Sequence, residues 1–202
     1  MNIIFALLLV VTIFSKYNAK KLYNIFKPTF SLLILLLPIL FSISLDKLPT
    51  QLILLGLTAA LVGDIFLLNP DKFFNLGLIS FLLSHIFYSV SFLLQTNKFN
   101  LELSIIYLLI FISTLVLFRK NLNFSIGIYM FVILLMGYLA GSYWLQSSNL
   151  IGVQIFAASI LFIISDFTLA FNKFRHKFFL AEFLILSTYY TAQYLFALTI
   201  LK

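Results

Sequence analysis

The stretch PTQLILLGLTAALVGDIFLLNP, Pro49 to Pro70, decides how the chain is read. From Pro49 to Leu68 it is nearly all apolar, and it has about the 20 residues a helix needs to cross the hydrocarbon of a bilayer. One residue goes against the run: Asp64, a carboxyl four residues from its end. A second run, LFIISDFTLAF from Leu161 to Phe171, carries Asp166 in the same way.

The whole chain resembles these two stretches. Of 202 residues, 63% are hydrophobic and 9% charged, and the mean hydropathy is +1.14. A water-soluble domain of this length needs more polar surface, so the expected fold is all-α, a polytopic membrane bundle. The net charge of +7 lies scattered through short connections. It forms no basic stripe, so it reads as a topology signal and not as a nucleic-acid surface. The absence of cysteine removes disulfide and thiolate chemistry. The first apolar run has no basic leader before it, which suggests a retained span in place of a cleaved signal.

Breaks in the apolar pattern predict about eight spans: Asn2–Ser15, Thr29–Leu45, Pro49–Leu68, Phe73–Gln95, Leu101–Phe118, Phe124–Gln146, Leu150–Phe171 and Phe178–Leu201. Pro38 is expected to kink the second. Turn-forming clusters separate them, such as NPDK at Asn69–Lys72. No linker is long enough to divide the chain, so residues 1–202 are expected to form one integral-membrane domain. One side of the bundle collects Lys16, Lys20, Lys21, Lys27, Lys72, Arg119, Lys120, Lys173, Arg175 and Lys177, and the other has only Lys47, Lys98 and Lys202. The excess places the first side in the cytoplasm, with both termini outside.

Depth then follows from 1.5 Å per residue. Asp64 and Asp166 each fall about 6–7 Å from the cytoplasmic end of their spans. Glu182, near the start of the last span, is expected in the same layer. His85 and Tyr88 lie deeper on the fourth span, and Tyr189, Tyr190 and Gln193 on the eighth. An ionised carboxylate in hydrocarbon costs about 2.5–3.5 kcal/mol on insertion scales. The chain avoids this cost by facing the group inward or by keeping it protonated, and either outcome readies it for proton transfer. Uncharged Ser, Thr, Asn or Gln would hold helices together without that penalty. Asp64 and Asp166 are therefore the candidate catalytic pair.

The segments around the aspartates are weakly alike. GDIFL (Gly63–Leu67) matches SDFTL (Ser165–Leu169), and FLLSHIFY (Phe81–Tyr88) matches FLILSTYY (Phe183–Tyr190), at one shift of about a hundred residues. That shift maps the third span onto the seventh and the fourth onto the eighth. Two parallel four-helix repeats would have this pattern, with the two aspartates facing each other across a pseudo-two-fold axis.

At these residues the chain resembles the YhhN family of integral-membrane lysoplasmalogenases. The resemblance rests on GDIFLL (Gly63–Leu68), FFNLGLISFLLSHIFY (Phe73–Tyr88), LFIISDFTLAFNKF (Leu161–Phe174) and TYYTAQYL (Thr188–Leu195). It implies cleavage of the vinyl-ether bond of a lysoplasmalogen, with the family's two intramembrane aspartates falling on Asp64 and Asp166. Such a reaction starts with a proton on the outer alkene carbon and passes through an oxocarbenium ion. Glycosidases meet a similar ion with two carboxyls. His85, Tyr190 and Gln193 are candidates to hydrogen-bond the carboxyls or water, with Tyr88, Tyr189 and Glu182 in support. Asn75, Lys72 and Lys173 are candidates for the lipid phosphate. The expected partners are a lysophospholipid and the surrounding lipids, and no cofactor is implied. The two histidines have no metal-ligand spacing. The competing class is a proton-coupled transporter of a lipid or small amphiphile, since buried acids and parallel repeats also occur in carriers.

Overall fold

A computed structural model describes residues 2–41, 46–120 and 124–201. Eight helices follow one another: α1 (Asn2–Asn18), α2 (Lys20–Phe41), α3 (Leu48–Phe66), α4 (Pro70–Leu93), α5 (Leu101–Phe118), α6 (Phe124–Ser147), α7 (Leu150–Phe174) and α8 (Ala181–Ile200). No strand occurs among the described residues. Seven of the helices are long and apolar enough to cross a bilayer, and α1 is shorter at 17 residues. α1 nonetheless runs the length of α8 in the opposite sense. At one end the Tyr194 hydroxyl donates to Asn2 Oδ1, and at the other Lys16 pairs with Glu182 at 3.1 Å.

Most boundaries agree with the apolar pattern to within a turn, because the capping chemistry is local. Asn100 and Asn149 each accept a backbone N–H of the first turn, from Leu103 and Gly152. Pro70 occupies the first position of α4, and the backbone leaves helical geometry at Phe73 before the long helix continues.

The exception is α2. The expected span began at Thr29, because Lys27 and Pro28 read as a connection. The helix starts nine residues earlier, at Lys20, and runs through both Pro28 and Pro38. Spanning helices tolerate proline where neighbouring groups satisfy the freed carbonyls. Lys27 is therefore no topology signal: it is buried within a helix, and nine basic residues of that group remain at or near helix ends. The far end of the expected span, at Leu45, lies outside the described residues.

Six helices pack in a closed ring in the order α2, α3, α4, α6, α7, α8, with α8 returning to α2. α1 leans on α2 and α8 from outside the ring, and α5 leans on α6. The pairing repeats after four helices. α3 against α4 becomes α7 against α8, α2 against α3 becomes α6 against α7, and α2 against α8 becomes α6 against α4. The packing of α8 against α3 and against α1 has no counterpart of comparable extent at that shift.

Small residues set the spacing. A Cβ on Gly63 of α3 would stand 2.9 Å from the Phe81 ring of α4, and Phe81 is itself buried. Gly63→Ala is expected to force that ring aside and cost roughly 1–3 kcal/mol, read as a lower unfolding temperature in detergent. On α6, Gly137 and Gly141 receive Tyr107 and Leu103 of α5 on one side and Ile163 and Phe156 of α7 on the other.

Candidate active site

The two aspartates have different surroundings. Asp64 is 1% exposed, and each of its oxygens meets a donor of its own cluster. Lys27 Nζ of α2 lies 3.2 Å from Oδ1. The Ser31 hydroxyl, also from α2, donates to Oδ2, and the Tyr189 hydroxyl of α8 donates to the same oxygen at 2.6 Å. The Tyr190 hydroxyl donates to the Lys27 carbonyl at 3.0 Å. This is a closed ion pair with its hydrogen bonds filled, the arrangement a buried charge requires.

Asp166 is more open, its side chain 10% exposed. The Tyr129 hydroxyl of α6 donates to its Oδ2. His85 Nε2 of α4 stands 3.0 Å from the same oxygen and 3.2 Å from the Tyr129 hydroxyl. Both neighbours of Nε2 accept, while Nδ1 is buried without a partner, so the hydrogen belongs on Nε2. No hydrogen bond joins the two carboxyls among the described residues. The buried ring of Phe162 lies between the clusters, 4.6 Å from His85 and 5.4 Å from Tyr189.

A cavity of about 700 Å³ opens beside Asp166, and Asp64 is not among the residues that line it. It lies among α4, α5, α6 and α7, and its wall is mostly apolar. Asp166 and Tyr129 interrupt that wall midway, and Asn75 and Lys173 stand at the end that collects the basic residues. Lys173 Nζ rests 4.8 Å over the ring of Phe74, another wall residue. The size is within the usual range for small-molecule sites. The corresponding space in the first half, among α8, α1, α2 and α3, is filled by aromatic rings. Phe5 stacks on Tyr194 at 4.2 Å, and Phe30 on Tyr190 at 4.3 Å.

Asp166 lines the cavity wall, and Asp64, enclosed by its own donors, does not. Glu182 sits in the first turn of α8, paired with Lys16. Tyr88 donates to Gln193 Oε1 at 2.7 Å, deep in the core, and Lys72 lies over Phe73 away from the wall.

Lys27, Ser31 and Tyr129 were not singled out from the sequence. The shift of 102 residues that carries Asp64 to Asp166 also carries Lys27 to Tyr129. Each aspartate meets the residue 37 positions upstream. Extending the repeat beyond its apolar matches would have found both partners.

Fold and site together define a multi-pass integral membrane protein that holds a carboxyl and a phenol on the wall of an apolar cavity, with a buried imidazole against the carboxyl. The YhhN family profile matches residues 22–200, and the chain belongs to that family. It is 32% identical over 157 residues to the lysoplasmalogenase TMEM86A of Homo sapiens, a match covering 73% of this chain and 64% of that protein. The Bos taurus counterpart is 30% identical over 161 residues, with the same coverage. The membrane protein YhhN of Escherichia coli O157:H7 is 30% identical over 162 residues, covering 76% of this chain and 75% of the relative. The chain thus spans just under two thirds of the two mammalian relatives. No solved structure gives a significant match.

Proposed function

We propose that this protein is a lysoplasmalogenase-like hydrolase. It would cleave the vinyl-ether bond of a lysoplasmalogen, giving a fatty aldehyde and glycerophosphoethanolamine or glycerophosphocholine. The observation that carries the reading is the position of Asp166, which touches a histidine and a tyrosine on the wall of a cavity otherwise suited to a hydrocarbon chain. The names of the mammalian relatives point the same way.

In this scheme protonated Asp166 transfers its proton to the outer alkene carbon. A C–H bond forms from the alkene electron pair, and an oxocarbenium ion remains. The carboxylate left behind stabilises that cation at short range in a low-dielectric wall. Water adds to the cationic carbon and gives its proton back to the Asp166 carboxylate, with His85 and Tyr129 holding Oδ2 in place. The hemiacetal then collapses: its hydroxyl gives up a proton, the bond to the glycerol oxygen breaks, that oxygen takes a proton by way of Asp166, and the aldehyde leaves. One water is consumed and the carboxyl is restored. Asp64 serves from behind, fixing Tyr189 and hence the Phe162 partition. No step uses a metal, and the lipid reaches the site from the cytoplasmic leaflet, where Lys173 meets its headgroup.

The test is aldehyde release by the purified protein in detergent from a defined lysoplasmenylethanolamine, with EDTA present. Release without any ion gradient is expected. Substrate movement across sealed vesicles with no aldehyde formed would replace the enzyme with a carrier.

A further inference from the structure

Three cavity residues of α7, Asp166, Ala170 and Lys173, fall at positions i, i+4 and i+7 and so share one helical face. Seven residues advance about 10 Å along a helix axis. The first is the carboxyl of the site, the last is the cation of the wall, and between them stands the smallest side chain of the stripe. Lys173 is not free to wander, because its ammonium is seated on the Phe74 ring at the cavity's end. Asn75, next to Phe74 on α4, adds an amide at the same level.

In a single-chain glycerophospholipid with a vinyl ether, seven bonds separate phosphorus from the outer alkene carbon. An extended chain advances about 1.2 Å per bond, so this spans about 8–9 Å. That length is within about 2 Å of the α7 spacing between the two residues. With a phosphate on Lys173, the alkene carbon lies beside Asp166 and the glycerol lies against Ala170.

We propose that this stripe is a phosphate-anchored ruler. It selects vinyl-ether glycerol lipids by the distance between an anionic phosphate and the scissile bond, and Lys173 is its specificity-determining residue. The inference rests on the vinyl-ether reading above and adds the requirement for a phosphate at a fixed distance. An alkenylglycerol lacking phosphate has no anion to place on Lys173.

The experiment compares kcat/KM of the purified protein on 1-alkenyl-glycerophosphoethanolamine and on 1-alkenylglycerol of the same chain. The parent protein is expected to favour the phosphate-bearing lipid by ten- to a hundredfold. Lys173→Gln is expected to bring that ratio towards one, chiefly through KM for the phosphate-bearing lipid, and Lys173→Arg to keep most of it. A ratio near one in the parent, or one that survives Lys173→Gln, overturns the ruler while the hydrolase reading stands. No aldehyde from either lipid sinks both.

Discussion

Asp166→Asn is expected to lower aldehyde release by 10²- to 10⁴-fold, the range lost when a positioned general acid is removed. The amide has nearly the shape of the carboxyl but no proton to give to carbon. It can still accept from the Tyr129 hydroxyl and His85 Nε2 through its oxygen, so the packing around it survives. The substituted protein should therefore elute as a sharp species in detergent and unfold near the parent temperature. Loss of release without loss of folding is the informative result. Parental rates in the variant would remove Asp166 from the chemistry and leave the cavity without its acid.

Lys27→Met is expected to act on stability instead. Both members of the Lys27–Asp64 pair are buried, with side chains 7% and 2% exposed. Removing one partner leaves an uncompensated charge, which typically costs about 3–5 kcal/mol. The measurement is thermal unfolding in detergent, where a large fall in midpoint is expected. Adding Asp64→Leu to the same chain removes the orphaned carboxyl and should recover most of the loss, because a buried pair replaced by apolar groups is often neutral. Activity of that double variant then decides what Asp64 does. Stable and active protein makes the pair a fixing element. Stable and inactive protein returns Asp64 to the reaction itself.

Much of the bundle was legible because the bilayer imposes one period and one length on every span. Leu101–Phe118 agrees with α5 at both ends, since an asparagine cap opens it and Arg119 closes it. The burial of Asp64 followed from its depth alone. The misplaced start of α2 has a local cause: lysine followed by proline is ordinary loop chemistry, and only the carboxyl 37 residues downstream makes it helix interior. The site was half visible. Asp166 and His85 stood out as costly residues in apolar runs, but their contact depends on how α4 meets α7, which no local pattern encodes. Tyr129 was hidden more deeply, because a tyrosine in a spanning helix is common and signals packing as often as chemistry.

The Lys27–Asp64 pair also bears on how the protein enters its membrane. α2 leaves the ribosome before α3, so for a time its ammonium has no counter-ion within the bilayer and must reach towards the headgroups to stay hydrated. The arrival of Asp64 lets α2 settle to its final depth, which couples the insertion of the two helices into one event. A nascent chain halted between them would hold α2 displaced towards the membrane surface.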